Sequence, residues 1–142
     1  MSDHVVRPIS LEQTRALRQA VLRPHEPVER MASSETADTV ALGAFAGDQL
    51  VAVGMISPDG KRGGWRIRGM ATAPPARGRG AGSAVLGALI EHARSQGARR
   101  IWCNARTPAR SLYERAGMRV VSEEFELPEI GPHLMMELRT AG

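Results

Sequence analysis

The stretch PPARGRGAGSAVL, residues 74–86, alternates arginine with glycine and then runs directly into aliphatic residues at helical spacing. Glycine costs a helix about 1 kcal/mol relative to alanine, so glycines crowded at a helix entrance need a physical reason. A flexible loop is one. The other is a backbone cradle for phosphate, because the free N–H groups of a first helical turn, with the helix dipole, make an anion site. Glycines remove the side chains that would hold a phosphate off the backbone and permit positive φ. Arg77 and Arg79 add counter-charge beside them.

Two familiar phosphate motifs fail on residues. The nucleotide P-loop needs a lysine and then Ser or Thr after its last glycine, whereas Gly82 is followed directly by Ser83. The dinucleotide fingerprint needs a glycine three residues after its second, and counting from Gly78 and Gly80 that place holds Ser83. That fingerprint also follows the first strand of its unit, while this run follows the third or fourth.

Working outward, the helix after the glycines carries an apolar stripe of Val85, Leu86, Leu89, Ile90 and Ala93, with Gly97 as its stop. Before it, WRIRGMAT reads as a strand in which Trp65, Ile67, Gly69 and Ala71 share one face and Arg66, Arg68, Met70 and Thr72 the other. VALGAF and LVAVGMI, joined by AGDQ, read as a hairpin, and VVRPI as a first strand. Ser10 with Gln13 forms a capping box for a helix over Leu11–Leu22 that places Leu11, Leu17, Val21 and Leu22 near one face. The polar, proline-interrupted segment RPHEPVERMASSETADT is a long loop or a short second helix. Downstream, RRIWCN is a buried strand. TPARSLYERAG is a short helix with Thr107 as cap and Gly117 as terminator. MRVVSEEFEL and HLMMELR are two closing strands. This order predicts an α/β (α+β) fold with helices on both faces of a sheet, in a single domain over residues 1–142.

Composition bounds the partners. A chain of 142 residues buries about two-thirds of its unfolded surface. No apolar run of about 20 residues is present, no secretory signal is visible, and Cys103 is the lone cysteine. A soluble, cytoplasmic protein is expected. The net charge is +4, and Lys61 is the sole lysine. Lys61, Arg62, Arg66, Arg68, Arg77 and Arg79 fall within nineteen residues, with Asp59 the one acid before the next helix. That excess asks for an anionic partner, although a coding bias toward arginine would give the same surplus. Nucleic acid is disfavoured as that partner, because aromatic residues are only 4% and leave few stacking platforms.

Arg77-Gly78-Arg79-Gly80-Ala81-Gly82 resembles the acetyl-coenzyme A signature of the GNAT family of N-acetyltransferases: Gln or Arg, two residues, Gly, one residue, then Gly or Ala. The stretch from Arg66 to Arg106 resembles that family's strand–loop–helix–strand core, and SLYERAGMRVV its following helix and strand. The resemblance spans roughly residues 40 to 139. It implies a mixed, mostly antiparallel central sheet of six or seven strands. It also implies acetyl-coenzyme A as co-substrate, no metal, a primary amine on a small molecule or peptide as acceptor, and frequent homodimers.

The resemblance further implies roles for single residues. Met70 and Ala71 would offer backbone groups to the pantetheine arm and to the oxyanion. The N–H groups from Arg79 through Gly80, Ala81 and Gly82 to Ser83 would hold the pyrophosphate, with Arg77 and Gly78 in the same loop. Asn104 would contact cofactor or take part in catalysis, and Tyr113 would protonate the departing thiolate. Valine at Gly80 or Gly82 is expected to abolish cofactor binding and leave the fold intact. Many relatives carry a glutamate base on the WRIRGM strand, and this chain has no carboxylate there. Glu26, Glu35, His25, His133 or a water chain stand as alternatives. Each site residue also has a plain structural reading: Tyr113 as a packed helix residue with a satisfied hydroxyl, Asn104 as a strand end, and Arg66 with Arg68, one of which could instead contact a carboxylate on an acidic acceptor such as an amino acid, as a solvated edge. A non-catalytic acyl-coenzyme A sensor and a basic nucleic-acid-binding module are the alternatives to an enzyme.

Overall fold

The computed structural model describes residues 4–59 and 63–140. Lys61 and Arg62 of the basic stretch lie outside the described residues. The chain opens with β1 (Val5–Ile9) and α1 (Leu11–Leu22), followed by a 3-10 helix over Val28–Ser34 within the polar segment. Then come β2 (Val40–Ala46), β3 (Gln49–Pro58), β4 (Gly64–Thr72), α2 (Ala81–Ser95) and β5 (Arg100–Arg106). The chain closes with α3 (Arg110–Arg115), β6 (Arg119–Val120), β7 (Phe125–Leu127) and β8 (Gly131–Arg139). Among the described residues the strands form one sheet in the order β1-β2-β3-β4-β5-β8-β6, with β7 also on β8, and only β4 and β5 pair in parallel. The expected mixed, mostly antiparallel sheet is present. It has eight strands because MRVVSEEFEL divides into β6 and β7.

The stripe of α2 packs as its spacing predicts: Val85, Leu86, Leu89, Ile90 and Ala93 are all buried against the sheet. The 15-residue helix therefore fixes its position by burial of one face. The other face of the sheet takes α1, and its most buried residues are not its apolar ones. Leu11, Leu17, Val21 and Leu22 are half-buried, whereas the fully buried residues of α1 are Thr14 and Arg18. The capping box of Ser10 and Gln13 is formed in both directions.

Arg18 is 3% exposed and joins α1 to the polar segment. Its guanidinium donates to Glu35 Oε2 at 2.7 Å, the Met31 carbonyl at 2.8 Å, Ser34 Oγ at 2.9 Å and Thr14 Oγ1 at 3.1 Å. Arg15 donates to Glu35 as well, at 2.8 and 3.1 Å. A buried guanidinium is tolerable only when its donors are matched in this way.

The face assignment of β4 also changes midway. Val53 pairs with Ala71 and Met55 with Arg68, so Gly69 and Met70 oppose the single residue Gly54 in a β-bulge. Gly69 takes φ +67°, and a Cβ there would lie 3.0 Å from both Arg18 Nε and Met55 Cε. The bulge moves Met70 and Thr72 onto the α2 face. A Cβ on Gly54 would meet Met70 Sδ, Leu89 and Val85, and a Cβ on Gly82 would meet Thr72 Oγ1. Trp65, Ile67, Met70 and Thr72 therefore share the α2 side, while Arg66, Arg68 and Ala71 look toward α1. Strict alternation fails because one extra residue reverses the phase.

Thr107 does not cap α3. Its hydroxyl donates to Glu124 at 2.9 Å, and residues Thr107–Ala109 form a 3-10 turn before the helix. On the far strands, buried Glu137 is gripped by Arg100 at 2.7 Å, Arg139 at 3.2 Å and Arg119 at 3.6 Å, which ties β8 to β5 and β6.

The Arg18–Glu35 joint has a measurable acid dependence. Hydrogen bonds from Arg15, then from Arg18, hold the Glu35 carboxyl below the usual carboxylate range. Its folded value is thus below the unfolded one of about 4.3, so its stabilisation is full above that pH and lost as pH falls through the folded value. Glu35→Ala is expected to cost about 3 kcal/mol at pH 7, since it strands a buried charge. Urea unfolding at pH 7 and pH 3 should show that gap shrinking at the lower pH.

Candidate active site

Three consecutive pairs, Gly64–Arg100, Trp65–Ile101 and Arg66–Trp102, are the whole of the β4–β5 pairing. Beyond them the two strands part, although β4 continues to Thr72 and β5 to Arg106. The edges of β4 and β5 that face the opening therefore carry backbone N–H and C=O groups with no ladder partner across the gap, and such groups need another partner when covered. The opening is a cleft of about 980 Å³, lined from β4, β5, α1, the 28–34 segment, α3 and the β7–β8 turn.

The start of α2 stands next to the end of the cleft that Thr72 and Arg77 line, with Gly82 against Thr72. The helix is capped by Gly80 at φ +88° with no side-chain cap, and its first backbone bond runs from Ala84 N–H to the Gly80 carbonyl. The N–H groups of Ala81, Gly82 and Ser83 therefore lack intramolecular partners among the described residues. Gly78 takes φ +78°, and a Cβ there meets nothing within 4 Å. Arg77, Gly78, Arg79 and Gly80 are exposed beside those donors. The valine substitutions read from sequence are not neutral to the fold. Gly80 is left-handed, and a Cβ on Gly82 would stand 3.0 Å from Thr72 Oγ1.

Tyr113 on α3 is 6% exposed, packs in the core cluster with Cys103 and Ala105, and lines the cleft. Its hydroxyl makes no hydrogen bond among the described residues. Burial, then the neighbouring Cys103, pushes the phenol pKa well above its ordinary value, with Arg106 opposing. Asn104 on β5 lines the same cleft, and its Oδ1 is buried without a hydrogen-bond partner. An unpaired buried amide oxygen costs roughly 1–3 kcal/mol, so this atom and the parted strand edges fit a ligand rich in amides. Met70 and Ala71 stand on the β4 edge of the opening. Parted strands, uncapped helix and orphaned amide together accept a long molecule with amides along its middle and an anion at one end.

The base candidates separate. Glu35 is held by Arg15 and Arg18 and does not line the cleft. His25 Nε2 stands 3.6 Å from Glu129 and is also outside the lining. Glu26 is in the lining, but it is paired with Arg23 at 3.1 Å and Arg30 at 4.0 Å. His133 is buried, lines the cleft and stacks on Phe125. Its Nδ1 lies 2.8 Å from the Gly131 carbonyl, an acceptor only, so Nδ1–H donates to it and, in the neutral ring, Nε2 is the nitrogen with the lone pair.

The sequence reading missed the role of Arg18. The signal available was Thr14 and Arg18 four residues apart on the helix face that turns inward.

Comparison with known proteins agrees with this geometry. A family model described as the acetyltransferase (GNAT) family matches residues 8–118. An uncharacterized N-acetyltransferase, YitI, of Bacillus subtilis (strain 168) is 32% identical over 145 residues, spanning 96% of this chain and 97% of that protein. The ribosomal-protein-S18-alanine N-acetyltransferase from Escherichia coli superposes with a TM-score of 0.79 at 17% identity, over 98% of this chain and 96% of that one. A Bacillus subtilis acetyltransferase in complex with CoA gives a TM-score of 0.75 at 17% identity, over 97% of this chain and 99% of its own. At such identities the two structures share the fold.

Cys103 is buried in the cleft wall, and burial pushes its thiol up to about 12. The reactive species is the thiolate. A disulfide thiol reagent at pH 8 is therefore expected to label native protein at least a hundredfold more slowly than protein in denaturant. Comparable rates would contradict the packing of β5.

Proposed function

This chain belongs to the acetyltransferase (GNAT) family, and from that premise we propose that it transfers an acetyl group directly to a primary amine of a small molecule or peptide in the cytoplasm. It is an acyltransferase, and acetyl-coenzyme A is its co-substrate. One observation carries the proposal: β4 and β5 part beside the uncapped start of α2.

Acetyl-coenzyme A supplies a thioester, an acyl group already activated toward a nucleophile. In this proposal the N–H groups from Arg79 to Ser83 bind its pyrophosphate, and Arg77 and Arg79 flank it. Gly78, Gly80 and Gly82 keep that approach clear, with Ala81 buried beneath. The backbone edge at Met70 and Ala71 pairs with the pantetheine amides and aims an N–H at the thioester oxygen, where preorganised donors lower the barrier most effectively. Asn104 binds at the same opening through its orphaned amide. Tyr113 hands its proton to the departing sulfur, and its raised pKa keeps it protonated throughout the neutral and mildly alkaline range.

The amine must lose a proton first. An alkylammonium with a pKa of about 10.4 is roughly three units too protonated at pH 7, or about 4 kcal/mol. His133 Nε2, directly or through water, is the acceptor that the cleft offers for it.

The test is steady-state acetyl transfer with acetyl-coenzyme A and a panel of amines. Tyr113→Phe is expected to lower kcat by about 10²–10⁴ while acetyl-coenzyme A still binds by calorimetry. The double variant Arg77→Gln/Arg79→Gln should instead weaken that binding about tenfold at low salt and less at high salt. Full activity in Tyr113→Phe would remove the phenol from the mechanism. Unchanged affinity in the double variant would remove the arginines from the cradle.

A further inference from the structure

The cleft contains more positive charge than acetyl-coenzyme A can use. Its phosphates belong, on the reading above, to the start of α2, and its pantetheine arm is uncharged. Yet Arg66 and Arg68 stand on β4 ahead of the bulge, Arg66 on the last pair before the strands part, and Arg106 stands at the end of β5, four residues beyond Trp102, the partner of Arg66. The other cleft guanidiniums on this side already have carboxylates: Arg18 has Glu35, and Arg23 and Arg30 share Glu26. Arg66, Arg68 and Arg106 make no ion pair among the described residues. Arg68 donates to the Ser34 carbonyl at 3.3 Å, and Arg106 to the Leu22 carbonyl. Arg66 lies over the Trp102 ring at 4.6 Å, and its Nε is buried without a partner.

We infer that the acceptor is an anionic amine, a molecule whose primary amine is accompanied by a carboxylate or phosphate that Arg66 and Arg68 bind, with Arg106 adding its charge further along the cleft. This inference rests on the acetyl-transfer reading and supplies its substrate class. A planar guanidinium offers paired donors that match an oxyanion, and an unpaired half-buried cation gains most from a ligand of opposite charge. Burial, and then the neighbouring Arg68, lowers the Arg66 pKa, with Cys103 and Asp59 opposing, while burial and then Arg23 lower that of Arg106, with Tyr113 opposing. The same charges repel an ammonium and so favour the neutral amine that attack requires. A polycation such as spermidine is excluded on identical grounds.

The experiment compares matched amines with acetyl-coenzyme A: β-alanine against β-alaninamide, O-phosphoethanolamine against ethanolamine, and spermidine as the cationic control. The anionic member of at least one pair is expected to show a kcat/KM at least tenfold above its neutral partner and above spermidine. Arg68→Gln and Arg106→Gln should each reduce that ratio at least tenfold, and Arg68→Lys should recover part of it. A preference for neutral amines or for spermidine would overturn the inference.

A binding arm runs without catalysis. N-acetyl-β-alanine and N-acetyl-phosphoethanolamine, with coenzyme A present, should raise the melting temperature of wild type more than of Arg68→Gln. Anionic ligands that bind but are never acetylated would uphold the arginines as an anion site, overturn the ligand as acceptor and count against acetyl transfer. Absence of any shift and of any anionic turnover would overturn it.

Discussion

Two neighbouring parallel strands that stop pairing after three residues are the constraint on which everything else in this structure depends. A sheet gains by continuing its ladder, so parted edges persist only when the surroundings hold them apart. Here the bulge at Gly69 and Met70 bends β4 away, and α3 packs Tyr113 behind β5. β5 is meanwhile fully paired on its other side with β8, from Arg100–Arg139 to Arg106–His133. The result is an opening with backbone polar groups on both walls and a helix N-terminus at its mouth. Amide partners and an anion are what such a place binds, and acetyl-coenzyme A contains both.

The opposite wall is built from charge. Arg18 is buried where an aliphatic residue would ordinarily pack, and Glu35 with three neutral acceptors matches it. That network fixes the 28–34 segment over the β4 bulge, because a Cβ at Gly69 would collide with the same guanidinium. It also spends Glu35 as a structural anion, while Arg66, Arg68 and Arg106 make no ion pair among the described residues.

Much of this was legible in the sequence, and the failures have physical causes. Helix α2, its stripe and the glycine entrance follow from periodicity and from the destabilising effect of glycine, both local properties. The capping box at Ser10 and Gln13 is local too. The reversal of phase in β4 was hidden, because a bulge depends on the register with β3 and not on the WRIRGMAT stretch itself. The inward turn of Arg18 was hidden for a similar reason: its acceptors lie 13 to 17 residues further along, in a segment without periodicity. Met31, Ser34 and Glu35 become partners only once the polar segment folds back. Thr107 had the composition of a cap, but Glu124 captured its hydroxyl from a distant loop.

Amide hydrogen exchange, followed with and without saturating acetyl-coenzyme A, bears most directly on the cleft as the binding site. Slowed exchange is expected in β4 from Ile67 to Thr72 and at Arg79 to Ser83, while the remote edge strand β1 keeps its rate. Protection confined to other segments, or none despite measured binding, would contradict the parted strands as the place where acetyl-coenzyme A is held.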